Sequence, residues 1–116
     1  MPNEKIYQMD FAKTYQLLIN KAVRKGRTKQ EVAEVTCWLT GFTLEELLDM
    51  QQKHLTYAQF FENAPKLAEK TPLIKGSVCG VRVEEVKEPL MRAIRCLDKL
   101  VDELAKGKAM EKILHR

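Results

Sequence analysis

Residues Pro89–Lys106 are the longest stretch of this chain in which apolar side chains recur with an unbroken helical period. Leu90, Ile94, Leu97, Val101 and Leu104 follow one another at spacings of four, three, four and three, which puts them on one face of a helix. Ala93 and Leu100 widen that face, while Arg92, Arg95, Asp98, Lys99, Asp102 and Glu103 fall mainly outside it. Pro89 suits the first helical position, where a missing N–H costs nothing. Gly107 suits the residue just past the end, and Lys106 complements the negative C-terminal dipole. Glu88 with Arg92, and Asp102 with Lys106, are acid-before-base pairs four apart. Such a helix would be roughly 27 Å long. Burying its apolar face would contribute on the order of 10 kcal/mol before conformational entropy is subtracted. The expectation is therefore that the rest of the chain leans on this helix. The heptad-like spacing lasts little more than two repeats and the stripe is too wide for a strict seam, so a core helix is favoured over a coiled coil.

The earlier residues supply helices to lean on it. Residues 1–9 read as extended, anchored by Ile6 and Met9. Asp10 caps a helix to Lys25 with Phe11, Tyr15, Leu18 and Ala22 inward and Gly26 as terminator. Thr28 with Glu31, Thr43 with Glu46, and Thr56 with Gln59 are three capping boxes, each opening a further helix. The first buries Val32, Val35 and Leu39 with Trp38 alongside and ends at Gly41. The second, through about Lys53, directs Leu44, Leu47 and Leu48 inward. The third carries Tyr57, Phe60 and Phe61 and stops near Pro65. Residues 66–83 are punctuated by Pro72, Gly76 and Gly80. The β-branched Val78, Val81 and Val83 allow a short strand or hairpin near 73–83, with residues 4–8 as a neighbour. After Gly107, Met110, Ile113 and Leu114 fold back onto the core. These elements predict a mainly α single domain over 1–116, with about five helices and at most a short β element.

Composition narrows the class. Apolar residues are 45% and charged residues 31%, which is globular rather than disordered. No run approaches the length of a membrane span, and Met1–Asp10 lacks the apolar core of a secretory signal. Three cysteines, Cys37, Cys79 and Cys96, without close spacing are expected as free thiols in a reducing cytoplasm. The net charge of +4 is unevenly spread. Residues 1–30 hold seven basic and two acidic side chains, residues 31–64 one and six, and residues 65–116 twelve and eight. A basic total therefore does not by itself imply nucleic acid.

Few residues carry chemistry. The two capping-box helices 29–40 and 44–53, joined by Gly41-Phe42-Thr43, have the shape of a helix-turn-helix. The would-be reading helix carries Glu45, Glu46 and Asp49, which phosphates repel, so a nucleic-acid partner is disfavoured. Lys21, Arg24, Lys25, Arg27 and Lys29 are five cations in nine residues and form the candidate polyanion-binding cluster. Cations at a helix C-terminus also serve simply to offset its dipole. Cys79, in the Gly-flanked loop Ser77–Arg82, is the candidate reactive thiol, with Arg82 to lower its pKa. It would need a base, and the chain has only His54 and His115. Cys37 and Cys96 read as core thiols. There is no metal-ligand spacing, phosphate-cradling loop or dinucleotide fingerprint, so neither a metal nor a cofactor is expected. Glu84, Glu85 and Glu88 read as an acidic lead-in to the long helix.

Several strings resemble one family: Gly26-Arg27-Thr28; Cys37-Trp38-Leu39-Thr40-Gly41-Phe42-Thr43; Cys79-Gly80-Val81-Arg82-Val83-Glu84-Glu85; Pro89-Leu90-Met91; and above all Leu97 through Leu114. Together they resemble the small bacterial proteins grouped as domain of unknown function twenty-two hundred, along nearly the whole chain. The resemblance implies a free-standing bacterial cytosolic protein and assigns it no activity, ligand or catalytic residue. The reading that follows is a non-enzymatic binding module that self-associates or docks a protein partner. Polyanion binding through 21–29 and a thiol activity at Cys79 are the alternatives.

Overall fold

The computed structural model describes residues 2–78 and 80–115, with residues 2–4 as backbone alone. The chain runs through α1 (Pro2–Tyr7), α2 (Phe11–Arg24), α3 (Lys29–Thr40), α4 (Leu44–Gln52), α5 (Tyr57–Glu62), α6 (Leu67–Lys70), β1 (Ser77–Val78), β2 (Val81–Arg82), α7 (Pro89–Ala105) and α8 (Met110–Ile113). Single 3-10 turns cover Thr71–Leu73 and Val83–Glu85. The mainly α expectation holds, and all five anticipated helices form.

α7 is the centre. Met91, Ala93, Ile94, Cys96, Leu97, Leu100, Val101 and Leu104 are buried along it, and it packs against α2, α3, α5 and the β1 strand. α2 contributes Phe11, Tyr15, Leu18, Ile19 and Ala22; α3 contributes Val32, Val35 and Leu39. An aromatic layer closes one side. Phe11 stacks on Phe60 with centroids 3.9 Å apart, and Tyr15, Tyr57, Phe42 and Phe61 pack around that pair.

The helix ends follow the capping chemistry. Asp10 accepts from the Lys13 N–H at 3.1 Å. In all three boxes the threonine hydroxyl and the Glu or Gln carboxyl or amide oxygen are satisfied reciprocally. Gly41 ends α3 in the left-handed region at φ 83°. A Cβ there would also lie 2.3 Å from Lys66 Cγ, so the turn needs glycine for space as well as for φ. Lys66 N–H bonds the Thr40 carbonyl at 2.9 Å, tying α6 to the end of α3.

Four sequence expectations are corrected. The stretch expected to be extended, 1–9, is instead helical over Pro2–Tyr7. Six residues show no amphipathic repeat, and the turn is held by packing against α5 and by the Tyr7 hydroxyl donating to Glu88. Only a single bridge, Asp10 with Thr56, is extended there. Second, the β element is a self-contained hairpin in the register Ser77–Arg82 and Val78–Val81, not a pairing with residues 4–8. Gly80, at φ 79°, supplies its turn. Third, Leu44 and Leu48 are 55% and 46% exposed, and only Leu47 of that trio is buried. α4 packs on α3 and α2 through Leu47, and Leu44 and Leu48 are left outside that contact. Fourth, Met9 is no anchor, being exposed.

The burial on α7 sets the stability expected of core variants. Leu97→Ala is expected to destabilise the fold by about 2–5 kcal/mol in urea unfolding. Leu17→Ala, on the exposed side of α2, is expected to change it by about 0.5 kcal/mol or less.

Candidate functional site

The structure distributes the predicted site residues rather than gathering them. Of the basic cluster, Lys21 pairs with Asp102 of α7 at 3.4 Å. Arg27 pairs with Glu31 at 2.7 Å and donates Nη1 to the Lys108 carbonyl at 2.8 Å. Arg27 thus latches the end of α2 and the start of α3 to the turn after α7. Glu31's carboxyl is held below its ordinary value, chiefly by the Arg27 hydrogen bond. Arg24, Lys25 and Lys29 are exposed beside the end of α2.

Cys79 lies outside the described residues. Arg82 is exposed on β2. His115 stacks on Trp38 with centroids 5.8 Å apart, and Lys70 Nζ lies 4.6 Å from the same ring. His54 is exposed after α4. No hydrogen bond or ring contact joins either histidine to Arg82 among the described residues. Cys37 and Cys96 are free thiols. Burial raises both, Cys96 to about 11 in spite of the opposing pull of Arg92, and Cys37 with further help from Glu46. Among the described residues no three His, Cys, Asp or Glu side chains converge as metal ligands, and no helix is long and apolar enough to cross a membrane.

Two concave features stand out instead. The first is a groove between α3 and α4. One part, of 410 Å³, lies among Ala33, Glu34, Cys37, Phe42 and Leu44. A second, of 180 Å³, runs on past Tyr15, Leu47 and Leu48. Gln30, Ala33 and Leu44 belong to both, so the two form one apolar trough. Glu34 and Lys29 also line it, and Glu45 and Asp49 are exposed elsewhere on α4. The second feature is a cavity of 530 Å³ between α5, α6 and the start of α7. Neither was legible in the sequence. The usable signals were a leucine pair one turn apart on an acidic helix, and an arginine in the first turn of α7, where the helix dipole disfavours a cation.

The α2–α5–α7 interface holds an isolated carboxyl. Burial pushes Asp98 above the usual carboxylate range, against the pull of Arg95 and Lys21. The buried Tyr57 lies near it, and its hydroxyl has no hydrogen-bond partner.

The chain belongs to the family described as "Uncharacterized protein conserved in bacteria (DUF2200)", which it matches over residues 5–115. It is similar to a solved structure, the crystal structure of an uncharacterized protein, SP1917. The TM-score is 0.91 at 46% identity, covering 97% of this chain and 92% of that one. No curated protein matches it.

Two outcomes follow. A raised folded pKa means the neutral Asp98 is favoured on folding, so its contribution is full below the unfolded pKa and is lost as pH rises through the folded one. Asp98→Asn is therefore expected to raise stability at neutral pH and to lose that advantage in acid, checked by urea unfolding across pH. Iodoacetamide at pH 8, read by mass spectrometry, is expected to modify half-buried Cys37 faster than fully buried Cys96, and both more slowly than an unstructured cysteine peptide.

Proposed function

We propose that the protein is a non-enzymatic docking module of the bacterial cytoplasm whose α3–α4 trough receives a basic amphipathic helix of a partner protein. The observation that carries this reading is the pair of exposed leucines, Leu44 and Leu48, on the wall of an apolar trough whose helices bear acids outward. One turn separates the two leucines, the spacing at which a docked helix presents its own anchors. Large apolar side chains left in water beside an apolar groove are a feature of interaction surfaces. Glu34, Glu45 and Asp49 select a cationic partner and orient it on approach.

Charge also argues against a second copy as the occupant. A two-fold interface over this trough would bring the acids of α4, Glu45 and Asp49, close to their own copies. A head-to-tail contact with a basic face of the next copy would build a ring or an open filament, not a two-fold dimer. Polyanion binding through residues 21–29 is the weaker alternative. Lys21 and Arg27 are engaged within the fold, which leaves Arg24, Lys25 and Lys29.

The test is a titration of the isotope-labelled protein with a synthetic helical peptide carrying leucines on one face and lysines on the other. Amide shifts are expected to cluster over residues 30–51, and Cys37 alkylation is expected to slow. Leu44→Ser with Leu48→Ser is expected to weaken binding by about tenfold or more, and exchanging lysine for glutamate in the peptide is expected to abolish it. Shifts scattered over the surface, or indifferent to the leucine changes, would remove the reading.

A further inference from the structure

We infer that the cavity between α5, α6 and the start of α7 binds a small carboxylate with an apolar body. This site is independent of the α3–α4 trough.

The cavity measures 530 Å³, within the range of small-molecule sites. Phe61, Leu67 and Leu90 give it an apolar lining, and Lys87 and Arg92 bring two cations to it, opposed by Glu62. Arg92 is half-buried, and its Nε is shielded from solvent with no hydrogen-bond partner. The guanidinium also interacts with the Cys96 thiol, and an incoming anion would meet the nitrogens other than Nε.

The placement of Arg92 is itself informative. It sits in the first turn of a seventeen-residue helix, whose positive end disfavours a cation. Glu88, at the N-cap, makes no side-chain capping bond, and its carboxylate accepts from the Tyr7 hydroxyl. Arg92, Lys87 and the start of α7 thus lie beside one apolar cavity.

The same inventory sets the ligand's class. Two cations facing one acid suit a single negative charge, not a polyphosphate. The planar guanidinium matches a carboxylate in geometry as well as charge. The apolar remainder of the lining calls for a hydrocarbon or aryl body, which would gain by leaving water.

Octanoate is the probe, with octanol and octylamine as tail controls and acetate as the head control. In an NMR titration octanoate is expected to move the resonances of Phe61, Leu67 and Leu90, while acetate and octylamine at the same concentration leave them in place. Lys87 is exposed, so Lys87→Met preserves the fold; it is expected to weaken octanoate binding by about tenfold. Arg92→Gln is expected to weaken it at least as much, and Glu62→Gln to tighten it. The inference fails if octanol binds as well as octanoate, if Lys87→Met leaves octanoate affinity unchanged, or if the shifts fall on α3 and α4 instead.

Discussion

The burial of α7 is the constraint on which the rest depends. Eight of its seventeen residues are buried, and α2, α3, α5 and the hairpin each reach it. Isolated helices of six to fourteen residues are marginal in water. The others hold their shape because α7 offers apolar surface on several sides at once. That sharing explains the short elements. α1, α6 and α8 have six, four and four residues, and none would persist alone. α8 stays folded because Ile113 and Leu114 are buried, and His115 follows by stacking on Trp38.

A centre buried on so many sides must also manage its polar groups. At the helix ends the management is local: the hydroxyls of Thr28, Thr43 and Thr56 each meet an N–H three residues on. Thr36 and Thr40, buried within α3, bond carbonyls one turn back. Across helices the accounts balance less well. Asp102 takes Lys21 and Lys106 together, and those partners hold its carboxyl below the usual range even though burial pushes the other way. Four residues earlier, Asp98 has only the distant pull of Arg95 and Lys21, and burial prevails. Two aspartates one helical turn apart are thus driven in opposite directions by whether a cation reaches them.

What the sequence discloses divides along physical lines. Phe11–Arg24 and Lys29–Thr40, with a cap and a periodic face, and Pro89–Ala105, with its period and a proline at its first position, are legible because these signals are local. α1 is not, because its support is a contact with α5 and a bond from Tyr7 to Glu88, eighty-one residues away. Leu44, Leu47 and Leu48 share a helical face, but the pattern cannot tell a helix that lies flat from one that meets its neighbours along an edge. The candidate site fares worse. The residues that attract attention in the sequence, the cations of 21–29 and Arg82, are either engaged within the fold or simply exposed. Those that line cavities, Ala33, Cys37, Leu67 and Leu90, look like ordinary core. A cavity belongs to the spaces between elements, and no single stretch encodes it.

The uneven charge along the chain acquires a meaning once folded. The acidic segment 31–64 contributes α3 and α4, and its carboxylates could in principle have been neutralised by the basic segments on either side. Glu31 is, through Arg27. Asp49 pairs with Lys53, at the end of its own helix and largely in water, a pair worth little. Meanwhile Lys21 is drawn to Asp102 and Lys108 to Glu103, so these cations serve the α7 end of the molecule. The fold thus binds acid to base around α7 and leaves α4 with an acidic surface beside exposed leucines. Exposed leucines favour association, whereas clustered acids of one sign oppose it between identical copies. Together they are the two features that the proposed cationic, apolar partner would meet.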